Sequence, residues 1–310
     1  MVDLSTSIGN IKLKNPVLVA SGTFGHAKEF APYLDLKKLG GIVTKTITVK
    51  PRLGNPPPRI VETPSGMLNA IGLQNPGADK FISDKLPFMK TLKIPIIASV
   101  MGYSVEEFLQ VVGMFEKAGG IDGYELNLSC PNVAYGSKEK SEGPRMFAHD
   151  AGLVSQVVSA VRGATKRTVI AKLGPDVSDI GKIAQAAESA GADAVALINT
   201  FMAMVIDIKT RKPVLGNRTG GLSGPCVRPI AVRMVWETAQ KVKIPVIGIG
   251  GIQTSRDALE MLIAGASAVE VGTAAFVNPA VCEEILKGIE NFMKQEKLTH
   301  LKGLIGSVKS

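Results

Sequence analysis

The chain has 310 residues, of which 45% are hydrophobic and 20% charged, with a formal net charge of +9. That length and apolar content allow a large core, built either as one big α/β barrel or as two ordinary domains. The positive charge suits an anionic ligand or an acidic partner, but Lys and Arg are dispersed and aromatic residues make up only 5%, which argues against stacked nucleic acid.

The first 18 residues have neither the basic region nor the apolar run of a secretory signal, and no apolar segment approaches the ~20 residues that cross a bilayer, so a cytoplasmic location is expected. Residues 4–13, centred on Gly9 and Asn10, predict a hairpin that plugs the N-terminal end of a barrel. Eight short apolar runs follow, at 16–21, 41–44, 94–100, 123–127, 168–173, 194–199, 245–248 and 268–271. Each leads into a polar or Gly-rich turn and usually a helical pattern, as at 104–118, 151–162, 180–190 and 255–264. Several runs are apolar on both faces, as parallel strands covered on each side must be. Eight such units in about 300 residues predict an α/β fold of the (β/α)8 TIM-barrel type, with 1–310 as a single domain, rather than a doubly wound sheet.

Three connections, 46–93, 128–150 and 200–225, far exceed the usual ~2–6 residues and fall on the C-terminal face, where barrel enzymes place their sites. Gly248 ends the seventh run and Gly250 and Gly251 follow it, and Gly272 and Thr273 follow the eighth, the two loops in which barrels often bind phosphate. The run Gly220, Gly221, Leu222, Ser223 and Gly224 is expected to complete that cradle; the alternative for all three is tight turns. Polar residues recur where the runs end: Lys45 and Thr46, Asn127, Lys172, then Asn199 and Thr200. Strand interiors disfavour them, so they predict a polar pocket floor.

Cys130, between Ser129 and Pro131-Asn132, is expected in a loop over that floor, where a thiolate would serve as nucleophile or base. Cys226 and Cys282 are read as ordinary small buried residues. The spacing of the three cysteines fits no disulfide framework, zinc site or iron–sulfur cluster, and His26, His149 and His300 match no triad, so no metal is expected on this chain. The prolines between Pro51 and Arg59 predict a stiff, extended arm. The stretch from Asn69 to Gly77 is rich in Asn, whose amide both donates and accepts and so suits a planar amide-containing ligand.

Taken together, Pro51 to Arg59, Glu62-Thr63, Gly66 through Gly77, Asn127-Leu128-Ser129-Cys130-Pro131-Asn132-Val133 and the Gly pairs resemble dihydroorotate dehydrogenases over nearly the whole chain. Cys at position 130 is similar to class 1 of that family, and the run from Met67 to Gly77 to class 1B. The resemblance implies oxidation of (S)-dihydroorotate to orotate in UMP synthesis, with one FMN per chain. Cys130 would take the C5 proton while the C6 hydride goes to the flavin. It assigns the substrate to Lys45, Asn69, Asn127, Asn132, Asn199 and Thr200, with backbone from Ala70, Ile71, Gly72 and Leu73. It assigns FMN to Ser21, Lys45, Thr46, Ser99, Asn127, Lys172, Ile198, Gly224, Gly250, Gly251, Gly272 and Thr273. Lys172 would lie near N1 and O2 of the flavin. At position 99 many relatives carry Asn, so the contact of Ser99 departs from the pattern.

Class 1B also implies a homodimer within a heterotetramer, whose electron-transfer subunit carries FAD and a [2Fe-2S] cluster and reduces NAD. Neither group is expected on this chain, nor is binding to nucleic acid or membrane. The rival readings are another FMN barrel of the dihydrouridine or dihydropyrimidine type, and a non-catalytic barrel that binds a phosphate ligand. The first would carry a basic extension or cluster-binding cysteines, and the second has no use for Cys130 with two Lys and an Asn set.

Overall fold

The structure, a computed structural model, describes residues 2–129 and 147–309. In chain order the strands are β1 (Thr6–Ile8), β2 (Ile11–Leu13), β3 (Val17–Val19), β4 (Gly41–Val43), β5 (Ile60–Thr63), β6 (Gly66–Asn69), β7 (Ile96–Val100) and β8 (Gly123–Asn127). They continue with β9 (Thr168–Lys172), β10 (Ala194–Leu197), β11 (Phe201–Ala203), β12 (Ile206–Asp207), β13 (Lys212–Pro213), β14 (Gly220–Ser223), β15 (Val246–Ile249) and β16 (Ala266–Val271). Eight of them close a barrel in the order β10-β15-β16-β3-β4-β7-β8-β9, every pair parallel, which makes this a (β/α)8 TIM barrel.

Alternation along each strand sends neighbouring side chains into two different cores. Val17 and Val19 face outward into the layer shared with the helices, whereas Leu18 joins Val43, Ile97, Ile170, Ala194, Ala196, Ile247, Ile249 and Ala268 inside the barrel. That double burial is why the runs read as continuously apolar. The β1–β2 hairpin closes the inner core by adding Ile8, Ile11 and Leu13 to it. At its turn Gly9 has φ 53°, and a Cβ there would lie 2.7 Å from Asp193 Cβ, so the tip seats flush against the barrel base.

The predicted helices are present as Val105–Ala118, Ala151–Ala164, Ile180–Ser189 and Ser255–Ala264. Each begins at a side-chain cap: Ser104, Asp150 and Asp179 accept from the backbone three residues on, and Thr254 forms a reciprocal capping box with Asp257. No helix among the described residues is long and apolar enough to cross a membrane.

Two of the long connections build a structure of their own. Strands β5 and β6 from one, and β11 and β14 from the other, form an antiparallel sheet in the order β11-β14-β6-β5. This narrows the expected cradle within the 220–224 run, because Gly220 and Gly221 are strand residues and only Leu222, Ser223 and Gly224 line the cavity. A Cβ on Gly221 would fall 2.0 Å from Thr200 Oγ1, and one on Gly220 would meet Leu215 at 2.6 Å. Glycine is required there for close packing between segments rather than for ligand approach.

Candidate active site

The C-terminal ends of the barrel strands, roofed by the added sheet, enclose a cavity of about 1250 Å³ including its open mouth. Its lining brings together Ser21, Lys45, Thr46, Asn69, Ile71, Gly72, Leu73, Asn127, Lys172, Ile198, Asn199, Thr200, Gly224, Gly250, Gly251, Gly272 and Thr273, residues spread over some 250 positions of sequence. Cys130 and Asn132 lie outside the described residues.

One side of the floor is a continuous polar chain. Ser99 Oγ lies 3.0 Å from Thr46 Oγ1, and Asn127 Nδ2 donates to Thr46 Oγ1 at 3.2 Å. Asn199 Nδ2 donates at 3.1 Å to both the carbonyl and the hydroxyl of Ser129, and its Oδ1 accepts from Thr200 N at 2.8 Å. These bonds fix the amide orientations before any ligand arrives, so the ordering cost falls on folding rather than on binding. Ser99 is buried behind Thr46 and does not line the cavity; its backbone N–H is held by Thr44.

At the far end, Gly250 and Gly251 have φ 121° and 75°, and a Cβ on Gly251 would lie 2.6 Å from Arg228 Cβ. Only glycine satisfies both conditions. Gly272 differs: among the described residues a Cβ there would meet nothing nearer than Ala20 Cβ at 3.7 Å, so its missing side chain leaves space on the cavity side. Thr273 Oγ1 donates to Ser223 Oγ at 2.8 Å and ties this end to β14, so Leu222, Ser223 and Gly224 of the 220–224 run do reach the cavity.

The arm from Pro51 to Arg59 supports the rim. Arg59 donates to Gln74 Oε1 and to the carbonyl of Leu53, while Arg52 bonds Tyr103 Oη. Ile71, Gly72 and Leu73 line the cavity, but Ala70 lies behind them, fully buried with Leu68 and Leu215, its N–H donating to Arg59 O and its carbonyl accepting from Asn55 Nδ2. Of the Asn residues in this stretch, Asn69 faces the cavity. Asn75 is instead a buried organiser, bonded to Thr48, Leu73 and Gly77.

The sequence reading missed two side chains beneath this floor. Lys172 Nζ lies 3.3 Å from each carboxylate oxygen of Glu125, 3.2 Å from Glu270 Oε2 and 3.5 Å from Ser21 Oγ. Lys172 is almost wholly buried and both Glu side chains entirely so. Burial works to discharge the ammonium, but the Glu125 and Glu270 carboxyls outweigh it and hold the Lys172 pKa above its ordinary value. Burial, and then the neighbouring Glu125 charge, push the Glu270 carboxyl well above the carboxylate range, against the pull of Lys172. A charge at an inward-facing position of an otherwise apolar strand was the available signal, in Gly123–Asn127 and in Ala266–Val271.

Outside the cavity, Cys282 is buried and its thiol pushed up to about 12 by desolvation, as expected of an inert core residue. Cys226 is exposed, which corrects its reading as buried: its place just after β14 leaves it at the roof's edge. His26 packs edge-on against Phe81, and His300 pairs with Asp3 at 3.3 Å.

The cavity therefore offers a glycine-walled end for an anion, a cationic floor and a row of amides and hydroxyls beside it. The side-chain space left at Gly272 and the buried Lys172 cation fit the phosphate and the flavin ring, respectively, of an FMN. In sequence, the profile described as dihydroorotate dehydrogenase matches residues 3–293. A relative named dihydroorotate dehydrogenase B (NAD(+)), catalytic subunit, from Trichlorobacter lovleyi is 50% identical over 305 residues, covering 98% of each chain. Relatives of the same name from Geotalea uraniireducens and Thermodesulfovibrio yellowstonii are 50% and 49% identical, covering 99% of this chain and 98% and 99% of their own.

Proposed function

The chain belongs to the dihydroorotate dehydrogenase family, which it matches from residue 3 to residue 293, and from that premise we propose that it is the catalytic subunit of an NAD-linked enzyme oxidising (S)-dihydroorotate to orotate for UMP synthesis. The observation that carries this reading is a single cavity in which Lys45, Asn69, Asn127, Asn199 and Thr200 stand beside Lys172 and the Gly250–Gly251–Gly272 wall.

Gly250, Gly251, Gly272 and Thr273 would hold the phosphate of FMN, with Ser21, Lys45, Thr46, Asn127, Lys172, Ile198 and Gly224 along the rest of the molecule. Ser99 serves at one remove, by fixing the Thr46 hydroxyl. When bound, FMN supplies the acceptor for the hydride that leaves C6. Asn69, Asn127, Asn132, Asn199 and Thr200 orient the amides of the substrate ring, and Lys45 pairs with its carboxylate. Backbone groups of Ile71, Gly72 and Leu73 close over the ring, with Ala70 buttressing them from behind. Cys130 removes the C5 proton. An unperturbed thiol is only a few per cent ionised at neutral pH, so turnover should climb into the alkaline range.

Electrons then leave for a second subunit that carries FAD and a [2Fe-2S] cluster and reduces NAD, two such subunits flanking a homodimer of this chain in a cytoplasmic heterotetramer. Anaerobic titration of the FMN-loaded protein with dihydroorotate tests cofactor and substrate together. Bleaching of the flavin band is expected, and a protein that takes up no FMN refutes the reading. The isolated chain should reduce NAD poorly and gain that activity on coexpression with the partner; efficient NAD reduction by this chain alone would overturn the partner assignment.

A further inference from the structure

Three buried side chains below the cavity floor, Glu125, Lys172 and Glu270, take no part in the chemistry above beyond the contact made by Lys172. They come from β8, β9 and β16, and no other strand of the barrel sends a charged side chain inward. The remaining titratable residue of the barrel strands, Tyr124, points out to Glu116 and the Val112 carbonyl. Among the described residues, the charged groups acting on Glu270 are Glu125 and Lys172, and the other charged residue lining the cavity is Lys45.

Fully ionised, the group would carry one positive and two negative charges in an interior closed below by the hairpin. An uncompensated buried charge of that kind is strongly disfavoured, and two carboxyls sharing one site hold on to one proton between them. The contacts favour Glu270 as its holder. Both oxygens of Glu125 face the Lys172 ammonium, as an ionised carboxylate would. Glu270 presents only Oε2 to it, and its Oε1 is buried with no hydrogen-bond partner. A neutral carboxyl tolerates such an arrangement far better than an anion.

We propose that Glu125 and Glu270 share one proton and act as positioning residues for Lys172, keeping its ammonium charged under the cavity without cancelling that charge toward the bound flavin. The inference rests on the flavin reading given above. A hydride from the substrate would carry two electrons and one proton, so a bound flavin would gain one negative charge, which the Lys172 ammonium would offset. No bond to either carboxyl forms or breaks in that transfer. Where Glu270 has already ionised at higher pH, the new negative charge draws one solvent proton onto it, so reduction takes up a second proton.

Two measurements test this. In the apoprotein, the infrared carbonyl stretch of a protonated carboxyl should be present at neutral pH and absent in Glu270→Gln; its absence from the wild-type protein overturns the shared proton without reference to flavin. In the FMN-loaded protein, spectroelectrochemical titration should show the midpoint potential falling more steeply in the alkaline range than in Glu270→Gln. The difference should be about 30 mV per pH unit, the two-electron equivalent of a tenfold change. Equal slopes in the two proteins overturn the coupling. Should Glu270→Gln fail to fold, wild-type protein suffices, because the band must vanish as pH rises through the window in which its slope steepens. A protein that keeps the infrared band but takes up no FMN removes the flavin reading, and the inferred role with it.

Discussion

The side-chain space left on the cavity side of Gly272 makes a sharp prediction possible. In Gly272→Ala the added methyl meets, among the described residues, only Ala20, at an ordinary 3.7 Å, and the residue is not in the left-handed region. The apoprotein should therefore fold as before. Restricting the unfolded chain even favours folding by about 0.4–1 kcal/mol, a rise in melting temperature of no more than ~2 °C for a domain of this size. The same methyl occupies the wall against which the phosphate would rest. Displacing one charge-assisted hydrogen bond costs about 1.5–3 kcal/mol, or roughly tenfold to 150-fold in FMN affinity. Gly251→Ala is the matched control: at φ 75° with Arg228 Cβ 2.6 Å away, it should lower the melting temperature as well. Fluorescence titration of apoprotein with FMN and thermal melts of both variants give the two numbers. Unchanged FMN affinity in Gly272→Ala refutes this placement of the phosphate, and a melt as low as that of Gly251→Ala refutes the claim of free space.

Three further outcomes are expected. Glu270 binds its proton more tightly folded than unfolded, so its contribution to stability is complete below the ordinary value of 4.5 and is lost as pH rises toward the folded value. Glu270→Gln should gain on wild type by up to about 1.4 kcal/mol per pH unit across that window in urea unfolding, and a difference that does not grow with pH counts against a protonated Glu270. Cys130→Ala should slow flavin reduction by dihydroorotate at least ~10²-fold in stopped flow while orotate binding changes little; near-normal rates place the base elsewhere. Asn199→Ala, which removes two bonds to Ser129 and the acceptor for Thr200 N, should raise the KM for dihydroorotate about tenfold with FMN content retained, and loss of FMN instead would reassign Asn199 to the cofactor.

The barrel strands were legible because each is buried on both faces, which leaves a short, predominantly apolar run between turn residues. The hairpin was legible through Gly9-Asn10, and the floor through polar residues that an apolar strand should not end in. What escaped notice depends on contacts between distant segments. Nothing local distinguishes Gly220 and Gly221 from a phosphate loop; pairing with Met202, Ala203 and Asn69 makes them strand residues, and the nearness of Thr200 and Leu215 keeps them glycine. Asn75 shares its neighbourhood with Asn69, yet serves the fold because Thr48 and Gly77 close around it. Glu125 and Glu270 passed unremarked because each lies within an apolar run, and their significance appears only when closure brings Lys172 between them.

The sheet over the cavity has a consequence for how the molecule is made. Asn69 reaches Gly221 across 152 residues of sequence, and β5, β6, β11 and β14 have no other sheet to join. Pairing at that separation repays its loop-closure cost only after the intervening strands have already been brought together. The roof is accordingly the last part to assemble and the first to open. A nascent or partly unfolded chain would hold a finished barrel with an unfinished mouth, so the ability to retain cofactor should appear later in refolding than the bulk of the secondary structure.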